Sequence, residues 1–391
     1  MKRIAPPLWL LVIVTACGTF GMHIFIPTLP ELVRSFGIEP GSAQHAISVY
    51  LIGLALGQLV HGPASDTLGR RRVLSAALAL YVVAGIVAAL ATGYTMLLGA
   101  RLVQAFGGCA GLVLGRAMIR DTADGPNTAS RLALLNTVLV MSPGFAPLVG
   151  GLIAEATGWR GVAWALCALG AATLFAVWWR LPETTPATRR NVSQVAVGYG
   201  RLLASPKFVA LTVAGSCTTT SMYAFMTASP FIFQHELGRS AHELGLYYII
   251  LIAGVGVGSI AASRLALKAN LGRMLQAANL IAVVASFTFL IAVATGNLSV
   301  VSAIAPMFCF MIAVGIASPM ALSMAVSIDP AAAGSAAGLY GAAQMACGAL
   351  CTTAAGLGAS PALAAAITMA FAALVGMGAA ASALRKAKIS A

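Results

Sequence analysis

The sequence predicts an all-α integral membrane protein with twelve transmembrane helices in two six-helix halves, and three observations carry the prediction. First, 60% of the 391 residues are hydrophobic and only 8% are charged, against about 45–50% and about 25% in an ordinary soluble domain. A soluble core of this size cannot hide so much apolar surface, which excludes a cytosolic enzyme or a secreted domain. Second, twelve apolar stretches have the length a helix needs to cross a bilayer. They lack the alternation of an outer-membrane barrel strand. Third, one long polar interruption divides the twelve into six and six.

The stretches follow in order. Span 1, at 8–29, comes after Met1-Lys2-Arg3 and ends in Ile26-Pro27-Thr28-Leu29-Pro30. Without an Ala-x-Ala type cleavage site it reads as a retained span and not as a signal peptide. Spans 2 and 3, at 43–62 and 73–92, flank a loop rich in Gly and Arg, and span 4, at 96–119, runs into Arg116 and Arg120. Spans 5 and 6, at 131–155 and 160–179, meet at Gly158-Trp159-Arg160. The polar interruption from Arg180 to Lys207 holds Pro182, Pro186 and Arg189-Arg190, which predicts halves at 1–180 and 208–391 joined by a linker at 181–207. Spans 7 to 12 lie at 208–232, 243–263, 274–294, 298–325, 331–357 and 361–384. Two equal halves on a basic linker suggest a transporter built from internal repeats.

The net charge of +13 is read by location. With both termini inside, 19 of the 23 basic residues fall on the inner side, and only Arg34, Arg101, Arg160 and Arg239 fall outside or near outer ends. The positive-inside rule then places both termini in the cytoplasm, for a multi-pass protein of a bacterial inner membrane. The lipid bilayer is the partner that this charge implies, and no nucleic acid is needed. The seven cysteines all lie in apolar spans without CxxC spacing, so they read as small buried hydrophobes and neither a disulfide framework nor a metal site. No cofactor is called for. A monomer is the default, because two halves already form a pathway.

The loop between spans 2 and 3 reads Gly62-Pro63-Ala64-Ser65-Asp66-Thr67-Leu68-Gly69-Arg70-Arg71-Arg72. Gly62 and Gly69 are expected to permit a sharp turn, and Asp66 to accept from an Arg or a helix N-terminus. Span 4 carries Arg101, Gln104 and Gly107, then Arg116-Ala117-Met118-Ile119-Arg120-Asp121. Span 5 carries Ser142-Pro143-Gly144, then Pro147 and Gly150-Gly151. These pieces resemble the G-x-x-x-D-x-x-G-R-[RK] loop, the R-x-x-Q-x-x-G element and the antiporter motif of the major facilitator superfamily. The run from Arg116 to Asp121, Gly158-Trp159-Arg160 and Ile328-Asp329-Pro330 are similar to its drug:proton antiporter family of twelve spans, in the bicyclomycin- and chloramphenicol-resistance branch. The first glycine of the antiporter motif is missing, since Val140 stands there. The resemblance implies a conformational latch at Gly62, Asp66, Gly69, Arg70, Arg71, Arg116, Arg120 and Asp121. It also implies a kinked fifth helix at Pro143, Gly144, Pro147, Gly150 and Gly151, and export over uptake.

Span 1 departs from that branch. Where the branch carries an acidic residue, this chain has His23, and none of its ten Asp and Glu residues falls at mid-membrane. An imidazole, with an unperturbed pKa of about 6.5, changes charge near neutral pH, so His23 is the candidate for proton coupling. Arg101 and Gln104 would modulate it or relay through water. A neutral, hydrogen-bonded His23 and a paired or snorkelling Arg101 stand as the alternatives. His45, His61, His235 and His242 sit at span ends or in a loop, where solvation outweighs a metal site with Glu236 and Glu243.

If the superfamily's fold holds, spans 1, 4, 7 and 10 line the cavity. Its candidate walls are Phe20, Ile24, Tyr223, Met226, Met307, Phe310 and Met311, with Tyr340 and Gln344 from span 11. Met and aromatic side chains adapt to varied apolar ligands, and plain packing is the alternative for each. Without an acidic residue there, neutral or anionic amphiphiles are expected over dications. The expected function is proton-coupled efflux of small amphiphilic drugs or metabolites by alternating access. The alternative is an importer or uniporter of the same fold without proton antiport. HExxH and paired acids are absent from the sequence, so no enzymatic activity is expected.

Overall fold

The computed structural model describes residues 5–122, 126–184, 192–266, 269–329, 332–358 and 360–385. Expectations that fall on Lys2, Arg3, Arg189, Arg190, Lys268, Pro330, Lys386 and Lys388 lie outside the described residues. Among the described residues the chain is helical and has no strand. The α-helices are α1 (Leu8–His23), α2 (Leu29–Phe36), α3 (Pro40–Leu68), α4 (Arg70–Ala89), α5 (Tyr94–Thr122), α6 (Pro126–Arg180) and α7 (Val192–Leu203). They continue with α8 (Pro206–Thr220), α9 (Met222–Phe231), α10 (Ala241–Leu265), α11 (Leu271–Ala294), α12 (Val300–Val326), α13 (Ala333–Ala355) and α14 (Pro361–Arg385).

Nine of the described segments are long and apolar enough to cross a membrane, α1 and α2 counting as one. The twelve-helix architecture follows when three further facts are read with them. The 55 residues of α6 are too long for one crossing, and Gly158 (φ 72°, ψ −177°) breaks that run into two helices. The 15-residue α8 and the 10-residue α9 are each short but adjoin at Ser221. The 23-residue α13 has the length, and its many Ala, Gly, Ser and Thr residues lower its hydropathy.

Local chemistry sets the helix starts. Ser205 caps α8 ahead of Pro206, Ser240 and Glu243 form a capping box on α10, and the Asn270 side chain accepts from Gly272 and Arg273 at the start of α11. In lipid each helix must satisfy its own backbone, so its outer face can stay apolar. Val83, Ile260, Ile291 and Phe371 are exposed accordingly.

The chain forms two compact units, Met1–Phe36 with Val49–Val195 and Gly37–Ser48 with Ala196–Ala391. In the first, α1 and α4 each pack against α5 and α6, over a core of Leu10, Leu11, Val14, Leu74, Leu78 and Leu114. Backbones touch here: a Cβ at Gly111 would strike the Val14 carbonyl, and one at Gly150 the Ile24 carbonyl. Close approach of small residues is how helices bind one another in lipid. In the second unit α8 packs on α12, α13 and α14, and α10 lies against α12 with Gly258 on the Ile312 carbonyl.

One expectation is corrected. Gly62 makes no turn, because α3 continues helically through Gly62 and Pro63 to Leu68. The chain breaks only at Gly69, where φ is +95°, a conformation that glycine adopts without cost.

Candidate functional site

The site begins with a bend in span 1. Pro27 has no N–H to continue a helix, so α1 stops at His23 and a 3-10 turn at Ile26–Thr28 leads into α2. The last carbonyls of α1, Gly21 among them, lack helical donors, and side chains from other spans reach this carbonyl and two more a turn earlier. Arg101 of α5 is fully buried and donates from Nη2 to the Gly21 carbonyl at 2.6 Å. Tyr50 of α3 donates to the Gly18 carbonyl at 3.0 Å, and Tyr81 of α4 to the Cys17 carbonyl at 3.4 Å. Three spans are thereby fastened to one stretch of α1.

Arg101 also donates from Nη1 to Gln104 Oε1 at 2.9 Å. Its guanidinium lies over the Phe25 ring at 4.4 Å and the Tyr50 ring at 4.1 Å. Burying a charge is costly unless it is paired, yet among the described residues no carboxylate pairs with Arg101. Two oxygen acceptors and two aromatic faces take that place. Arg101 Nε and Gln104 Nε2 remain buried without a hydrogen-bond partner among the described residues.

His23 is 2% exposed. Its Nδ1 lies 2.9 Å from the Thr19 carbonyl and 3.4 Å from Ser142 Oγ. A carbonyl only accepts, so Nδ1 carries the proton and Nε2 is the basic nitrogen. Ser142 sits on α6 beside Pro143, Gly144, Pro147, Gly150 and Gly151, and the helix runs on through both prolines. The structure thus brings His23, Arg101 and Gln104 together around the end of α1. It adds Phe25, Tyr50, Tyr81 and Ser142, which the sequence reading did not single out. Tyr50 carried a usable signal, a buried phenol that needs an acceptor, and Phe25 carried none.

Of the expected cavity walls, Phe20 is half-buried and Ile24 buried in the first unit. In the second unit Tyr223, Met226, Met307, Phe310, Met311 and Tyr340 are buried, and Gln344 is half-buried. Gln344 donates to Thr219 Oγ1 at 2.7 Å, the Tyr340 hydroxyl abuts Gly215, and the Tyr223 ring abuts Gly348. These three therefore share the contact of α8 and α9 with α13. Met311 packs its Cβ towards Gly254 of α10. A row of hydroxyls from Ser216 to Ser221, buried on α8 and just beyond it, borders the same contact and was not foreseen.

Two statements about cysteine need correcting. Cys309 is exposed, because it lies on the outer face of α12, and Cys347 is only half-buried. Cys217 and Cys347 meet at 4.0 Å. Among the described residues no group of three or more His, Cys, Asp or Glu is arranged to hold a metal ion.

Charge gathers at one end of the first unit. Arg70 pairs with Asp66 at 2.7 Å and with Asp121 at 3.1 Å, and its Nη1 donates to Ser65. The Glu183 carboxylate accepts from the backbone N–H groups of Arg70 (2.8 Å) and Arg71 (3.2 Å), capping α4. Arg71 donates to the Trp178 carbonyl at 2.7 Å. Arg116 reaches Asn136 at 3.5 Å, and Arg120 is exposed. Asp66, Gly69, Arg70, Arg71 and Asp121 therefore form one cluster with Ser65 and Glu183; the Gly62 carbonyl borders it, accepting from Ser65 Oγ at 2.8 Å, while Arg116 turns to Asn136. Asp121→Asn should lower stability by about 1–2 kcal/mol through loss of a charged hydrogen bond, whereas Arg120→Gln should not. Thermal unfolding in detergent reads the difference, and equal midpoints for the two variants would remove Asp121 from the cluster.

A family model described as Major Facilitator Superfamily matches residues 11–352. The chain is 26% identical over 337 residues to multidrug resistance protein D of Escherichia coli (strain K12), covering 86% of this chain and 85% of that protein. It is 31% identical over 260 residues to an uncharacterized transporter of Rickettsia felis, covering 65% and 64%. It is 31% identical over 253 residues to a chloramphenicol resistance protein of Pseudomonas aeruginosa, covering 63% and 58%. The fold resembles the crystal structure of a D-xylose-proton symporter, with a TM-score of 0.74 at 16% identity over 94% of this chain and 96% of that one.

Proposed function

The chain belongs to the major facilitator superfamily, and on that premise we propose that it exports small amphiphilic drugs or metabolites in exchange for protons, by alternating access. It is a transporter and not an enzyme. One observation carries the coupling assignment: a fully buried guanidinium, with no carboxylate partner among the described residues, hydrogen-bonded to the Gly21 carbonyl two residues before His23. A guanidinium does not release its proton, so the titrating group of this bend is His23, the one imidazole within it. Nδ1 is committed to the Thr19 carbonyl, so the proton enters and leaves at Nε2. Arg101 holds the bend in place through the Gly21 carbonyl.

The drug-resistance names of the relatives support efflux. The Tyr223, Tyr340 and Gln344 contact supplies an apolar wall with a few neutral donors, which suits neutral or anionic cargo. We assign the protein to the bacterial inner membrane as a monomer with both termini in the cytoplasm, on the charge asymmetry of its loops. A second reading, an importer or uniporter of the same fold, draws on the missing span-1 carboxylate.

The test is drug-dependent proton movement in inverted vesicles that hold the purified protein. Drugs should collapse an imposed pH gradient with the wild type and not with His23→Ala. A mutant that still couples would move the assignment away from His23. A wild type that transports drug without moving protons would favour the second reading.

A further inference from the structure

The first unit holds a second feature, beside the Asp66–Arg70–Asp121 cluster. A cavity of about 630 Å³ opens where the start of α4 meets the end of α6, lined by Arg71, Arg72, Ser75, Leu68, Trp178 and Glu183. We propose that this cavity binds the headgroup of an anionic phospholipid.

Charge is the first argument. Two guanidinium groups face one carboxylate, and that carboxylate is already engaged with the backbone N–H groups of Arg70 and Arg71. The net positive balance is increased by Arg180, which stacks on Trp179 at 4.3 Å a turn away. Basic pockets between spans are sites for acidic lipid headgroups. Hydrogen bonding is the second argument. Arg71 spends one nitrogen on the Trp178 carbonyl, which leaves its other donors for a ligand of the cavity it lines, and Ser75 adds a hydroxyl. A phosphodiester takes two or more such donors. The apolar rim is the third. Leu68 is 59% and Trp178 68% exposed in its lining. A soluble anion would gain nothing from them, whereas acyl chains would cover them, and Trp is at home at the headgroup level.

The experiment is native mass spectrometry of the purified full-length protein released from mixed nanodiscs of phosphatidylglycerol and phosphatidylcholine. Phosphatidylglycerol should be retained over phosphatidylcholine. Arg72→Gln should lower its retention about fivefold and the Arg71→Gln/Arg72→Gln double variant further, in proportion to the charge removed. Arg72 is exposed, so that single variant should fold as the wild type does. Trp178→Ala should weaken retention of the same lipid without changing its preference over phosphatidylcholine. Equal retention of the two lipids, or undiminished retention by the double variant, would overturn the proposal. Displacement of the lipid by millimolar inorganic phosphate would also overturn it, since the site would then serve a free anion.

Discussion

Replacing Arg101 by methionine should abolish proton-coupled efflux and leave the protein folded. Methionine keeps the length and apolar stem of the side chain, so the space between the Phe25 and Tyr50 rings stays filled. The Gly21 carbonyl and Gln104 Oε1 each lose a charged donor, held at 2.6 and 2.9 Å in the wild type. Such bonds contribute about 1.5–3 kcal/mol each, and losing one from the transport cycle amounts to at least a tenfold fall in rate. Stability should behave differently. Losing a charge buried with no carboxylate partner among the described residues offsets part of the cost of leaving the two acceptors unpaired, about 1–3 kcal/mol each, so the midpoint should fall without collapsing. Lysine keeps the charge without the planar fork, so Arg101→Lys should give intermediate transport. The vesicle assay and a thermal midpoint taken on the same preparations separate the cases. Full transport by Arg101→Met would show the guanidinium to be dispensable for coupling. A collapsed midpoint would assign it to folding.

The neighbouring substitutions Gly150→Ala and Gly151→Ala should differ sharply. A methyl at Gly150 meets the backbone carbonyl of Ile24, which no rotamer change can move, so α1 and α6 must separate. Overpacking of this kind costs about 1–3 kcal/mol and at times more, and Gly150→Val should yield no folded protein. At Gly151 nothing lies within 4 Å of the added methyl. That variant should be neutral, or gain up to about 1 kcal/mol from helix propensity. Fluorescence-detected gel filtration after heating measures both. Equal midpoints for the two alanine variants would mean that α1 and α6 approach less closely at Gly150 than described.

Much of this architecture is legible in the residues alone, because lipid asks each span for one property, and composition reports it. What escaped has physical reasons. Gly62-Pro63 has the composition of a turn, yet α3 passes through it and the chain breaks only at Gly69. The break at Ser221 leaves no compositional trace, as a hydroxyl residue reads equally well inside a packed helix. His23 and Arg101 stand out in the sequence because charge and imidazole are rare in a span, and Gln104 only through the R-x-x-Q-x-x-G element it shares with Arg101. Phe25 and Tyr50, which enclose the guanidinium, were hidden among other aromatic residues. Glu183 fell in the polar interruption between the halves, where a carboxylate looks like solvated linker. Its role as the cap of α4 depends on contacts more than a hundred residues apart in sequence.

The single-residue break at Gly158 has a practical consequence. Trp159, immediately after it, is 1% exposed and packs its ring 5.4 Å from Phe36, while Arg160 donates to the Ala91 carbonyl at 3.0 Å. The two halves of α6 are thus joined without a loop, and the corner between them is closed by its neighbours. It offers no strand for a protease to thread and no flexible epitope for an antibody. Reporter tags for mapping sidedness belong elsewhere, since an insertion at this corner would part Trp159 from Phe36 and Arg160 from the Ala91 carbonyl.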